Sequence, residues 1–412
     1  MTAATLSAAH HSAPPVAQGA RRQRDVRLDL FRGLAMLIIV VAHIPSNPWN
    51  AWIPARFGFS SAAEMFVFCS GLASALAFGA VFTRRGFALG TMRVAYRIWQ
   101  LYWAQFAPFL VIVAISALAS ARPGAPDYLA RLDLGWFLAH PGEGIAALMT
   151  LRYIPQYFDM LPMYMLVLAS LPLAIALARL HKVLPLAVAF LIWLGVQLTG
   201  FNLRARPGSD WVWYFNPLAW QLLFILGFSY GMGWLRPPPL RRRPLILAAL
   251  AIVLASIPAA FWGFTNAFPA LAAIEPSLGY DGAPTSLHPL RLIHFLALAY
   301  LALSIIEPWR DRLPSVALLR PVERVGQQTL AAFLASLPIA WSLGIWLDGV
   351  GRDGLTVALA NVAGLAGILV TAWLAAAFKR QPWREPRSAA PLTERRPGAH
   401  PKPEPARWQP AE

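Results

Sequence analysis

The sequence is poor in charge: 13% of its 412 residues are Asp, Glu, Lys or Arg, against 58% that are hydrophobic. A water-soluble fold cannot hide so many apolar side chains in long runs, which excludes the soluble enzymes and indicates a polytopic membrane protein. Cysteine is scarcer still. Cys69 is the single one and lies inside an apolar run, which excludes a disulfide framework, a cysteine metal site and thiol redox chemistry; no metal is expected. Acidic residues number 19 against 35 basic ones, for a formal net charge of +16. On one soluble face that charge would suggest nucleic acid, but the basic residues fall between apolar segments and in the tails, so no nucleic-acid partner is expected. No A-x-A-like cleavage site precedes the first apolar run, which reads as a retained signal-anchor helix. Neither a short-period repeat nor the internal duplication of many transporters is visible.

What is present is a series of runs near the length of about 20 apolar residues that a bilayer requires. They fall at roughly 28–46, 61–82, 92–119, 160–180, 183–200, 216–235, 244–264, 288–307, 325–347 and 355–378. The fold expected is all-α, with about ten transmembrane helices around a central passage. Most of the Lys and Arg residues then gather on one side, in groups such as Arg21–Arg27, Arg84–Arg97, Arg236–Arg243 and Arg310–Arg324 and in the tail from Lys379 onward. Basic residues near span ends stay in the cytoplasm, so both termini are expected inside. The domains read as a polar tail over 1–26, a membrane domain over 27–378, and a Pro- and Arg-rich disordered tail over 379–412.

Ionisable side chains in spans are costly and face a cavity or a partner by default. The stretch DLFRGLAMLIIVVAH carries Arg32 and His43 with ten residues between them. Eleven steps of a helix return to within about 20° of the starting direction and rise about 16 Å, so the two share one stripe. Asp29 with Arg32 also fits a local ion pair. Further along come Glu64, then Arg93 and Arg97, then Asp159, Tyr164, Asn216, Gln221, Arg291 and His294. By depth, Arg32, Arg93 and Arg97 fall near the inner surface, where snorkelling anchors are the plain alternative, and His43, Glu64, Asp159, Asn216, Arg291 and His294 fall near the outer one. A basic inner vestibule beneath an outer imidazole and carboxylate cluster suits a phosphate-bearing donor inside and a hydroxyl acceptor outside. The rival reading is a proton-coupled transporter or glycan exporter that uses the same His, Glu and Arg residues as a relay.

The first-helix stretch resembles the signature of the membrane-bound acyltransferase family 3 and its wider transmembrane acyltransferase superfamily. With FGFSSAAEMFVFCSGLASALAFG, YFDMLPMYMLVL, WYFNPLAWQLLFILG and LRLIHFLALAY, it is similar to the OpgC protein family, from about Arg27 to Phe378. The resemblance implies a bacterial inner-membrane enzyme that takes an acyl group, succinyl above all, from cytoplasmic acyl-CoA and delivers it to a periplasmic glucan or other glycan. It places the essential pair on Arg32 and His43, and implies no permanently bound cofactor. The residues then suggest roles. Arg93, Arg97 and Arg32 would meet the acyl-CoA phosphates, His43 would act as base, Glu64 would orient it, and Arg291 would pair with the succinyl carboxylate. Asp159, Tyr164, Asn216, Gln221 and His294 would line the acceptor side. A homo-oligomer or a glucan-synthesis partner stays open.

Overall fold

The computed structural model describes residues 25–381; nearly all of the two expected tails, residues 1–24 and 382–412, lies outside the described residues. The helices that carry the fold are α1 (Val26–His43), α2 (Ala62–Arg85), α3 (Phe87–Ser120), α4 (Met160–Leu180), α5 (Leu184–Thr199), α6 (Pro217–Met232), α7 (Arg243–Ala260), α8 (Pro289–Trp309), α9 (Arg320–Gln327), α10 (Thr329–Val350) and α11 (Gly354–Arg380). All ten apolar segments read from the sequence are helical. Seven of the described helices are long and apolar enough to cross a membrane: α2, α3, α4, α7, α8, α10 and α11. The helices α5 and α6 have 16 residues each, and the 18 residues of α1 include Arg27, Asp29 and Arg32. Two boundaries differ from expectation. The helix expected from residue 92 starts at Phe87, after the left-handed Gly86 (φ 87°). The run at 325–347 divides at Gln328 (φ −108°, ψ 30°) into α9 and α10.

Local chemistry sets where these helices begin. Asp25, Ser61, Asn216, His288 and Asp353 each stand at an N-terminus and accept from a backbone N–H in the first turn, which satisfies donors that would otherwise be stranded. At Asn216 and His288 the next residue is proline, whose fixed φ and missing N–H suit the first helical position.

α1 packs against α2, α9, α10 and α11. Met36 and Val40 of α1 share one core with Val67 of α2, Phe224 of α6 and Ile368 of α11. The approach of α1 to α9 is backbone to backbone: a Cβ on Gly326 would fall 1.7 Å from the Asp29 carbonyl oxygen, and one on Gly33 would fall 2.0 Å from that of Val322. Gly326→Ala must therefore push the two helices apart. Overpacking of this kind is expected to destabilise by about 1–3 kcal/mol, read as a lower thermal midpoint of the detergent-purified protein; an unchanged midpoint would mean that the two helices have slack between them. α2 and α6 meet in the same way through Gly71 and Gly227. α7 packs chiefly on α8, at the rim.

Candidate functional site

Arg32 and His43 belong to one unbroken helix, so the stripe inferred from their spacing exists. Both side chains are half-buried, and each carries a buried nitrogen, Nε of Arg32 and Nδ1 of His43, with no hydrogen-bond partner among the described residues. Buried polar atoms are rarely left so. Arg27, five residues before Arg32, is by contrast bound to Asp25 and Glu307. Among the described residues Arg32 makes no ion pair, so the local pairing with Asp29 is not formed.

The ring of His43 meets Tyr157 edge to face, with centroids 5.9 Å apart. Tyr157 sits in the segment before α4 with a left-handed backbone (φ 73°), strain that a non-glycine residue accepts where its surroundings impose it. It leans on Trp341 of α10, whose Nε1 donates to Ser116 Oγ at 2.8 Å. Tyr157 keeps 37% of its surface exposed. Burial pushes its phenol above the ordinary range, so at neutral pH the hydroxyl keeps its proton and can donate. In the sequence Tyr157 is one more boundary aromatic within IPQYF; nothing local ties it to a histidine more than a hundred residues earlier.

The structure moves Glu64 and Arg291 away from the roles expected of them. Glu64 is fully buried. Its Oε2 accepts from the N–H and the hydroxyl of Ser61, both at 2.8 Å, and its Oε1 accepts from Arg291 Nε at 2.6 Å. Both oxygens are taken by Ser61 and Arg291, so the carboxylate does not hold the His43 imidazole. Arg291 is also fixed by Tyr280, to whose hydroxyl its Nη1 donates at 3.0 Å, and by Ser61 at 3.3 Å. Its charge is therefore already met by a carboxylate of the protein, the place that a succinyl carboxylate was expected to fill. Glu64 and Arg291 form a buried clamp between the start of α2 and α8.

The other outer residues are engaged within the protein as well. Asp159 accepts from the Tyr214 N–H at 2.9 Å. Asn216 caps α6 and donates to the Phe201 carbonyl at 2.7 Å, and Gln221 donates to that of Ala189 at 2.7 Å. The Tyr164 hydroxyl lies 3.5 Å from Ser74 Oγ. His294 Nδ1 accepts the Ser60 N–H at 3.2 Å, which leaves its proton on Nε2, an atom without a partner among the described residues. Arg93 is exposed and Arg97 half-buried, the latter donating to Gln100 at 3.2 Å. Their helix packs chiefly on α4 and the end of α2.

Two cavities stand near these elements. One holds about 20 Å³ among Gln105, Phe109, Tyr153 and Phe158, room for about one water molecule. The other, about 600 Å³, is an open groove lined by Leu37, Ile38, Val41, Trp49, Trp52 and Leu365, on the face of α1 away from His43. Neither is lined by Arg32 or His43.

The arrangement is thus a helix with a cation and an imidazole on one stripe, both incompletely bonded, packed among helices of membrane length. Compared with known families, residues 24–380 match the model of the OpgC protein. The chain belongs to the OpgC protein family. Membership makes it a membrane protein of glucan modification, and the match takes in α1 through α11. Among curated proteins and among solved structures, nothing matches. Within this OpgC-family chain, Arg32 and His43 are among the described residues that keep a buried polar atom without a hydrogen-bond partner.

Proposed function

We propose that this protein is an inner-membrane O-acyltransferase that moves an acyl group, succinyl foremost, from cytoplasmic acyl-CoA to a hydroxyl of a periplasmic glucan or related glycan. This reading places it within the transmembrane acyltransferase superfamily, with both termini in the cytoplasm. The observation that carries it is the pair of unsatisfied nitrogens, Arg32 Nε and His43 Nδ1, on one stripe of α1. Arg32, with Arg93 and Arg97, meets the phosphates of the donor on the basic side. His43, at the other end of α1, takes the proton of the acceptor hydroxyl. The sugar oxygen attacks the thioester carbonyl, the C–S bond breaks, and the leaving thiolate regains the proton from the imidazolium. The Tyr157 phenol, protonated beside the ring, supplies a hydrogen bond to the oxygen on which negative charge develops.

The transporter reading needs a chain of exchangeable protons through His43, Glu64 and Arg291. Both oxygens of Glu64 are instead held by Ser61 and Arg291, and the His43 ring packs on Tyr157. The deciding experiment uses purified protein in detergent, with no gradient, radiolabelled succinyl-CoA and a β-glucan oligosaccharide. Label is expected to reach the sugar as an ester. A protein that moves glycan across vesicles but leaves acyl-CoA intact in detergent would be a carrier.

A further inference from the structure

His43 is the last residue of α1, and among the described residues no hydrogen bond to Nδ1 holds its ring. The orientation of the imidazole then rests on its edge-to-face contact with Tyr157 and on the backbone that carries it, and that backbone is held from several directions. The last carbonyls of any helix lack an intrahelical partner; here the Val41 carbonyl accepts from Asn47 Nδ2 at 2.9 Å. Asn47 faces Asn361 of α11 in a reciprocal amide pair. Asn47 Nδ2 donates to Asn361 Oδ1 at 2.8 Å, and Asn361 Nδ2 donates back to Asn47 Oδ1 at 3.0 Å and to the Val357 carbonyl at 2.8 Å. All four amide protons are used, and reversing either amide would set donor against donor. The pair is sealed from solvent, Asn361 being 0% and Asn47 5% exposed.

The residues between His43 and Asn47 are gripped from a second side. Ser46 is left-handed (φ 52°). The Pro45 carbonyl accepts from Arg352 Nη2 at 3.2 Å. Arg352 is itself tied to Asp348 at 2.6 Å, and Asp348 to Arg131 at 2.6 Å. The turn that terminates α1 is thus anchored to α10, to α11 and to the segment between α3 and α4.

From this geometry we infer that Asn361, acting through Asn47, is a positioning residue for His43: the buried amide pair sets the angle at which the imidazole faces its substrates. The inference rests on the proposed role of His43 in acyl transfer. A misplacement of about 1 Å at a reacting group costs up to about a hundredfold in rate. Asn361→Ala is expected to lower kcat by about tenfold or more while KM for succinyl-CoA stays within about twofold, because the donor phosphates bind elsewhere.

A second readout does not depend on turnover. Without substrate, the rate at which diethylpyrocarbonate modifies His43, followed by peptide mass spectrometry, should change several-fold in N361A, while that of the exposed His181 stays at the parent value. Arg352→Gln, which removes the donor to Pro45 and leaves the amide pair in place, should shift both readouts in the same direction by less; if N361A does not fold, this variant decides. Parent-like kcat and His43 reactivity in the folded variants would overturn the inference, and so would a loss of activity that merely tracks the loss of folded protein. If the parent itself transfers no acyl group, the proposed function fails, and the His43 modification rate still decides the positioning role.

Discussion

Replacing His43 by alanine is expected to lower acyl transfer by about 10²–10⁴-fold, the share that a positioned general base supplies, while the protein still inserts and folds. The two halves of that expectation come from the same observation. Nδ1 has no partner among the described residues, so its removal strands no other buried polar group there. The substitution removes one edge-to-face pair with Tyr157, an interaction that contributes about 0.5–1.5 kcal/mol. Turnover of labelled succinyl-CoA onto glucan, measured beside the thermal midpoint, separates the outcomes. Near-parent turnover in a folded His43→Ala protein removes the proposed base, and collapse of the fold makes His43 a structural residue.

Arg291→Met should do the opposite. It leaves Glu64 ionised in a site with no solvent access and deprives the Tyr280 and Ser61 hydroxyls of the same guanidinium. Removing one partner of a buried ion pair destabilises by about 3–5 kcal/mol, enough to deplete folded protein in the membrane. Adding Glu64→Gln to that variant removes the stranded charge and should recover part of the loss, a coupling that a double-mutant cycle reads directly. If instead Arg291→Met accumulates normally and shifts the donor preference from succinyl toward acetyl, Arg291 is a substrate clamp and its bond to Glu64 is secondary.

The contrast between these two residues shows what a sequence can and cannot disclose. The helices are legible because run length and apolarity answer a requirement that the bilayer imposes on each segment separately. The stripe that joins Arg32 to His43 is legible for a similar reason, since it depends only on the helical repeat. The fate of Glu64 is half legible: Ser61, three residues before it and ahead of an apolar run, is the signature of a capping box, and the structure forms that box. Asn216 before Pro217 reads as a cap in the same way. The other half is hidden, because Arg291 lies 227 residues further along and no local pattern announces the pairing. The Asn47 and Asn361 amides, 314 residues apart, are hidden for the same reason. The break at Gln328 falls in the polar stretch GQQT and so leaves a local mark, while the close approach of α9 to α1 is a tertiary demand.

That approach has a consequence for how a thioester could reach the imidazole. Near its beginning α1 is wedged glycine to carbonyl against α9, and just past its end it is bolted to α11 by the asparagines. A rod fastened at both extremities cannot slide like a piston or swing like a gate. It serves as the fixed rail of the machine, and whatever parts to admit substrate must be its neighbours.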